Sequence, residues 1–523
     1  MSDRSEIVRA VILSILIAIL TLLPYLVAQQ ITRPGDVFSG FLLNPIDGFS
    51  YLAKMRQGEQ GGWLFELPYA AEPGAGSFLF VFYLFLGHLS RVTNISAIIL
   101  FHLVRVIAGA TLFITVFFFL KMFLFERVLR WMAYGLILVG SGLGWIAIPF
   151  NILASDLAIP ESIPFLSAYA NPHFPIAATL FLLLIMMTLS SKSISLTRIG
   201  AAIFFSTLLA LIQPFVILTL GVILSGWVLW EAVFRSQATS GNERKRISGG
   251  VLSTALGLGI GAMPVLVYDV VLTLRHPAIA AWNAQNLTPS PPPVHYLLGF
   301  GSVFLLAVFA VAKRKTLPTK EDRLLIIWVL LQALLLYAPL GLQRRLSLGL
   351  FFPLAVLAIR GLHGIFSGRR IRLAFMVVLA LSIPSNLIVV GSGLVGVQAE
   401  DGALVLSEDE QKAYGWFYNY AAPDALVLAG PVSGNRIPAY AKLRVMYGHP
   451  FETPDADVQL ALLEQLFSTQ ESGSQGLKSL AALKIDYVLY GPREREIGQP
   501  LWIDELKLVS ENGEYFIYEN ISP

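Results

Sequence analysis

Apolar stretches separated by short polar turns fill the first 395 residues, and a mixed polar and apolar pattern follows them. Spanning a bilayer core takes ~20 apolar residues in a helix. Eleven stretches read as spans, near 8–28, 95–120, 131–150, 174–190, 199–212, 215–234, 249–272, 294–312, 322–340, 346–366 and 373–394. Phe78 to Ser90 is apolar but short, and is expected to lie at the interface or to re-enter it. The run from Ile199 to Phe234 is divided at Gln213-Pro214, because proline breaks a helix. No small-residue cleavage site follows Val8 to Ala28, so that stretch is expected to be a retained helix.

From residue 396 the periodicity changes. Short β-type runs appear at Ala425–Ala429, Arg444–Tyr447, Tyr487–Tyr490, Lys507–Ser510 and Tyr515–Tyr518, with helical patterns near 407–421, 455–470 and 476–484. Asn512-Gly513 before the last run is a type I′ hairpin signal. The expected fold class is a polytopic α-helical membrane protein of about 11 transmembrane helices with a C-terminal extracytoplasmic α/β domain. Its expected parts are 1–395, with a first outer loop at 29–94, and 396–523.

Composition agrees with a membrane protein. Apolar residues make up 55% and charged residues 14% of the chain, against ~25% charged in soluble proteins. A net charge of +3 gives no reason to expect a nucleic-acid partner. The absence of cysteine excludes disulfides and thiol chemistry. Short basic loops tend to stay cytoplasmic. Arg4/Arg9, Lys121/Arg127/Arg130, Lys192/Arg198, Arg235/Arg244/Lys245/Arg246, Lys313/Arg314/Lys315 and Arg369/Arg370/Arg372 all fall on one side if the spans are those above. The N-terminus is then cytoplasmic and the C-terminal domain outside.

The first outer loop carries Asp47 in Asn-Pro-Ile-Asp-Gly-Phe-Ser-Tyr. Asp47 to Met55 fits a short amphipathic helix on the membrane surface, with Asp47 and Tyr51 four apart on one face. Asp47 could serve as that helix's N-cap or as a general base that takes a proton from an acceptor hydroxyl. Glu72, in Ala-Glu-Pro-Gly, is the candidate second acid.

The first span, the Asp47/Tyr51 loop, the acid-Pro segment and Phe82-Tyr83-Leu84-Phe85-Leu86-Gly87 together resemble the GT-C superfamily. These integral-membrane glycosyltransferases use polyprenyl-phosphate-linked sugars. The resemblance implies Asp47 as catalytic base, with membrane lipid and a glycan, lipid or protein acceptor as further partners, in a bacterial inner membrane. Members of the aminoarabinose and O-mannosyl type carry a second acid directly beside the first, where this chain has Gly48. No metal ligands are therefore assigned, and a divalent metal is the one cofactor left open. Gly434–Ala439, Tyr447–Asp455 and Tyr490–Arg495 also resemble outer domains of multi-spanning bacterial membrane proteins related to such transferases, without indicating a chemistry.

Arg344 and Arg345 sit between two spans on the proposed outer side, against the charge trend. Arginine donors fork onto phosphate oxygens, so these two are the candidate grip on the donor's lipid phosphate. His173, between Pro172 and Pro175, is a candidate cavity residue. His449 and Glu452 read as turn residues that could also orient an acceptor. Seven scattered histidines show no metal-ligand spacing. Gly140-Ser141-Gly142-Leu143-Gly144-Trp145 has no strand before it, so close helix packing explains it better than phosphate binding. The leading reading is an inverting lipid-linked sugar transferase. Its rivals are a lipid or polysaccharide transporter or flippase, for which Arg105 and Asp269 are the few ionisable residues within spans, and a non-catalytic envelope assembly factor.

Overall fold

The computed structural model describes residues 3–189, 194–237, 249–313, 319–468 and 473–521. Lys192, Arg244, Lys245, Arg246, Arg314 and Lys315, all counted above in the basic clusters, lie outside the described residues, as does the side chain of Arg235. The chain divides into two compact units. One comprises Met1–Leu23, His102–Tyr268 and Thr288–Ser392; the other comprises Pro24–Phe101, Asp269–Leu287 and Gly393–Pro523.

Six helical stretches are long and apolar enough to cross a membrane: Asp3–Ile31, Ala97–Phe123, Pro214–Val233, Gly249–Arg275, Pro293–Ala312 and Gly368–Gln398. A seventh is a pair bent by 44°, Arg127–Val139 with Gly144–Phe150. His173–Leu189, Leu196–Ile212 and Phe351–Ile365 are shorter apolar helices. The chain is a multi-pass membrane protein, and Val8, Ile12, Leu16 and Leu20 present large exposed apolar side chains on its first helix. The break at Gln213 is real: Leu196–Ile212 ends there and the next helix starts on Pro214. The stretch read as 322–340 is helical over Lys320–Leu335 only, and the one read as 346–366 begins at Phe351, after a 3-10 turn at Gln343–Ser347.

Within the first unit a chain of contacts gathers charged residues at one end. Lys121 pairs with Asp3 at 2.6 Å, and Arg130 pairs with Glu6 at 2.9 Å. Arg360 donates to the Phe123 carbonyl at 2.7 Å and pairs with Asp322. Arg323 pairs with Glu231 at 2.5 Å. The basic groups near 121–130 thus share an end with the chain start and with Glu231, Asp322 and Arg323. Arg105, one of the two ionisable residues expected within spans, is held inside the protein. It is fully buried and donates to the carbonyls of Ala168 and Tyr169 at 3.1 and 3.0 Å and to Thr21 Oγ1 at 3.1 Å.

The glycine run 140–144 lies against the helix Pro293–Ala312, and a Cβ on Gly142 would overlap the carbonyl of Gly299. The packing reading therefore holds, with an addition the sequence did not offer. The backbone N–H groups of Gly142 and Gly144 donate to the buried Asp156 carboxylate at 3.1 and 3.2 Å. The chain fills its own anion nest.

The second unit contains the β structure. A short antiparallel pair joins β1 (Asp36–Phe38) to β2 (Val405–Ser407). β3 (Leu426–Leu428), β4 (Arg444–Val445), β5 (Tyr487–Tyr490), β6 (Lys507–Asn512) and β7 (Tyr515–Glu519) form a sheet in the order β4-β3-β5-β7-β6. β3 runs parallel to β4 and β5; β7 is antiparallel to β5 and β6. Successive side chains in a strand point to opposite faces, and both faces are covered here. Val427, Leu489 and Ile517 join a core with Tyr414, Phe417 and Ile437, while Leu426, Leu428 and Val488 join one with Leu463, Phe467 and Trp502. Tyr69, from the first loop, belongs to the former core. The β6–β7 turn corrects one expectation. Asn512 pairs with Tyr515, so the two turn residues are Gly513 and Glu514, and only Gly513 has a positive φ. That is the type II′ pattern rather than I′.

Candidate functional site

Asp47 sits in a helix running from Pro45 to Glu59, longer than the sequence pattern indicated. The N-cap is Asn44, in a left-handed conformation, with Pro45 opening the helix. Asp47 is therefore the third helical residue and not the cap, although a negative side chain is still favoured in a first turn. The helix is also no surface helix: Phe49, Leu52, Ala53, Lys54 and Met55 are buried. It crosses the helix Val81–Thr93 at a glycine pair. A Cβ on Gly58 would overlap the Leu84 carbonyl, and one on Gly87 the Met55 carbonyl. Its N-terminal end meets the helix Pro431–Tyr440, where Asn435 donates to the Ile46 carbonyl at 3.3 Å and the Arg436 guanidinium lies 5.3 Å from the Phe49 ring centre.

A second acid after Asp47 would have to displace the Phe41 ring. A Cβ on Gly48 would come within 2.5 Å of the Phe41 ring, which packs edge-on against Phe49 and Phe101. Glycine at this position lets the Phe41 ring pack against the helix.

Asp47 instead meets the loop that follows β4. His449 Nε2 lies 3.2 Å from Asp47 Oδ1. The imidazole is buried, whereas the Asp47 side chain is 43% exposed. His449 Nδ1 accepts from the backbone N–H groups of Phe451 and Glu452 at 3.1 and 3.2 Å. Thr453 Oγ1 accepts from the N–H groups of Gly448 and His449, and the Thr453 N–H returns to the His449 carbonyl at 2.9 Å. The side-chain amide of Gln285, at the end of the helix Pro277–Gln285, donates to the carbonyls of this loop.

One turn further along, Lys54 is wholly buried and pairs with Glu452 at 2.9 Å. Ser50 donates to the same carboxylate at 2.7 Å and accepts from Lys54. Burial alone would raise the Glu452 carboxyl, but the Lys54 ammonium, with hydrogen bonds from Lys54 and Ser50, holds it below the ordinary carboxylate value. Phe80 lies over the Lys54 ammonium at 4.2 Å. Tyr51 stacks on Tyr83 with ring centres 4.4 Å apart. Tyr69 donates to the Asn435 carbonyl at 3.2 Å, and its hydroxyl is pushed well above its usual value by burial.

Two of the candidate residues, Asp47 and Tyr51, therefore share this helix. Glu72 is exposed, in the loop closed by the Phe65–Ser77 bridge, and takes no part in the Asp47–His449 or Lys54–Glu452 contacts. The other three belong to the first unit. His173 is buried at the start of His173–Leu189, its ring 4.2 Å from that of Phe174. Arg344 is exposed in the 3-10 turn Gln343–Ser347, and Arg345 places its guanidinium 5.7 Å from the Phe215 ring centre.

Sequence reasoning did not assign Ser50 and Lys54 a role, and read His449 and Glu452 chiefly as turn residues. A signal for the first two was present. Asp47, Ser50 and Lys54 stand at i, i+3 and i+7, one polar face of a helix. Nothing in the sequence tied His449 to Asp47 across 402 positions.

Among described residues, no group of three or more His, Asp or Glu side chains is placed to hold a metal ion.

No protein-family model and no curated protein sequence matches the chain. Solved structures do. The oligosaccharyltransferase of Archaeoglobus fulgidus, tethered with an acceptor peptide containing the NVT sequon, aligns at a TM-score of 0.55 with 14% identity over 99% of this chain and 74% of that one. Its apo form aligns at 0.53 with 13% identity, over 94% and 70% of the two chains. ArnT from Cupriavidus metallidurans bound to undecaprenyl phosphate gives 0.47 with 12% identity, over 97% and 98%. On the first two alignments, this chain shares the fold of that oligosaccharyltransferase.

Proposed function

We propose that the protein is an inverting membrane glycosyltransferase that moves a sugar from a polyprenyl-phosphate-linked donor to an acceptor outside the cytoplasm, with Asp47 as general base. The observation that carries this reading is the state of Asp47. One oxygen is held by His449 while the side chain keeps 43% of its surface open, at the start of a buried and tightly packed helix. A base needs a fixed position and room for the proton it receives. The fold shared with an oligosaccharyltransferase supports the same reading.

In the proposed step, Asp47 takes the proton of an acceptor hydroxyl or amine as that atom attacks the anomeric carbon. The bond from that carbon to the phosphate oxygen breaks, its electron pair leaves with the polyprenyl phosphate, and a single displacement inverts the centre. We assign the leaving phosphate to Arg344 and Arg345, whose planar guanidinium groups suit phosphate oxygens. Glu72 enters only as a second acid for the acceptor. We place the protein in a bacterial inner membrane with the N-terminus cytoplasmic, which accords with the basic groups gathered beside Asp3 and Glu6. The transporter reading loses support because Arg105 is engaged by backbone carbonyls and Thr21.

The test is purified protein in lipid, given a panel of labelled polyprenyl-phosphate sugars together with glycan, lipid and peptide acceptors bearing hydroxyl or amine groups. Wild type is expected to release polyprenyl phosphate; Asp47→Asn is expected to bind donor and to release polyprenyl phosphate about 10²–10⁴-fold more slowly. Unchanged release by Asp47→Asn would remove Asp47 from the chemistry.

A further inference from the structure

Carboxylates that face a sugar phosphate can hold a divalent cation, which takes several hard oxygen ligands. At Asp47 the protein has built something else. The neighbouring position is Gly48, where a side chain would have to displace the Phe41 ring. The imidazole at Asp47 is also turned so that it cannot act as a ligand. His449 Nδ1 accepts from two backbone N–H groups, so the ring hydrogen of the neutral imidazole is on Nε2, the atom 3.2 Å from Asp47. A nitrogen bearing that hydrogen has no lone pair to offer a metal, and the other nitrogen is turned into its own loop. The loop is pinned as well: Glu452 is held by Lys54 and Ser50, and Thr453 Oγ1 by the N–H groups of Gly448 and His449.

We propose that His449 is the positioning residue of Asp47, fixing its Oδ1 through an Nε2–H hydrogen bond, and that transfer at this site does not depend on a metal. The proposal rests on Asp47 being the base. His449 touches neither substrate nor reacting atoms in this role; it sets where the second oxygen of Asp47 points. Misplacing a catalytic group by about 1 Å lowers rates by about 10²-fold, which sets the size of effect to look for.

The experiment uses the full chain in lipid nanodiscs and two readouts. Transfer is measured in EDTA and with added Mn²⁺ or Mg²⁺, for wild type, His449→Ala and His449→Gln; bound Mn²⁺ is measured by electron paramagnetic resonance for wild type, Asp47→Asn and His449→Ala. Expected are a wild-type rate in EDTA within about twofold of that with metal, a kcat loss on the scale given above in His449→Ala with KM unchanged, and partial recovery in His449→Gln, which restores an N–H donor. Bound Mn²⁺ is expected to be the same in all three proteins. Transfer that stops in EDTA and returns with Mn²⁺ would overturn the proposal, as would Mn²⁺ that binds wild type and is lost in both variants. A protein that transfers no sugar under any condition overturns the transferase reading instead, and the Mn²⁺ comparison then decides the metal question alone.

Discussion

Glu410 and Asp47 are two carboxylates of the same compact unit, and they are treated in opposite ways. Glu410 is 1% exposed and surrounded by donors. Arg436 reaches it at 2.8 Å, Arg493 also pairs with it, and the Tyr414 and Tyr515 hydroxyls donate at 2.5 and 3.4 Å. Both oxygens are engaged and no water-facing surface is left. Asp47 is held by His449 and keeps its remaining surface open. A carboxylate saturated by cations serves the fold, whereas one that is fixed but open can accept a proton. The difference separates the motif residues Arg436 and Arg493, which organise the unit, from the loop 448–455, which serves the site.

The contrast can be broken in stages. The largest effect is expected at Glu410. Removing one partner of a buried ion pair leaves uncompensated charge and costs about 3–5 kcal/mol, so Glu410→Gln is expected to lower the unfolding midpoint sharply. A normal midpoint would mean that the network is ornamental. Acid should act in the same place. Burial raises the Glu410 carboxyl, but Arg436 and Arg493 together pull it below its ordinary 4.5. A group depressed in the folded state contributes stability above its unfolded value and loses it as pH falls through the folded one. Wild type is therefore expected to lose stability below about pH 4.5, and Glu410→Gln to lose less over that interval; parallel curves in acid titration would contradict this.

A smaller effect is expected at Gly48. Gly48→Ala drives a methyl against the Phe41 ring, and overpacking of this kind costs about 1–3 kcal/mol. Gly48→Asp should be worse still and should create no metal dependence. An active Gly48→Asp enzyme that gains from Mn²⁺ would show that the site tolerates the paired-acid motif. The smallest effect is expected in the first unit. Arg344 is exposed, and losing one exposed charge contact, at about 1 kcal/mol, should raise the donor KM of Arg344→Ala about fivefold with kcat nearly unchanged. A fall in kcat alone would remove Arg344 from donor binding.

What the sequence disclosed follows from the range over which each interaction acts. Helices set by local apolar runs were legible, down to the break at Pro214, because proline acts on its own backbone. The β runs of the last 128 positions were legible for the same reason. The surface position of the Asp47 helix was misread because its polar residues suggested water. Lys54 finds Glu452, and Asp47 finds His449, only after the chain has folded. The motif Tyr447–Asp455 was visible as a pattern without a role, since that role lies in contact with a helix some 400 positions earlier. Gly48 looked like a lost acid, and only the Phe41 ring explains it.

The most direct test measures polyprenyl phosphate release and the unfolding midpoint side by side for wild type, Asp47→Asn and Glu410→Gln in the same lipid. Asp47→Asn is expected to keep the wild-type midpoint and lose release by about 10²–10⁴-fold, the contribution of a positioned base, while Glu410→Gln loses midpoint. Release that survives in Asp47→Asn would contradict Asp47 as the base.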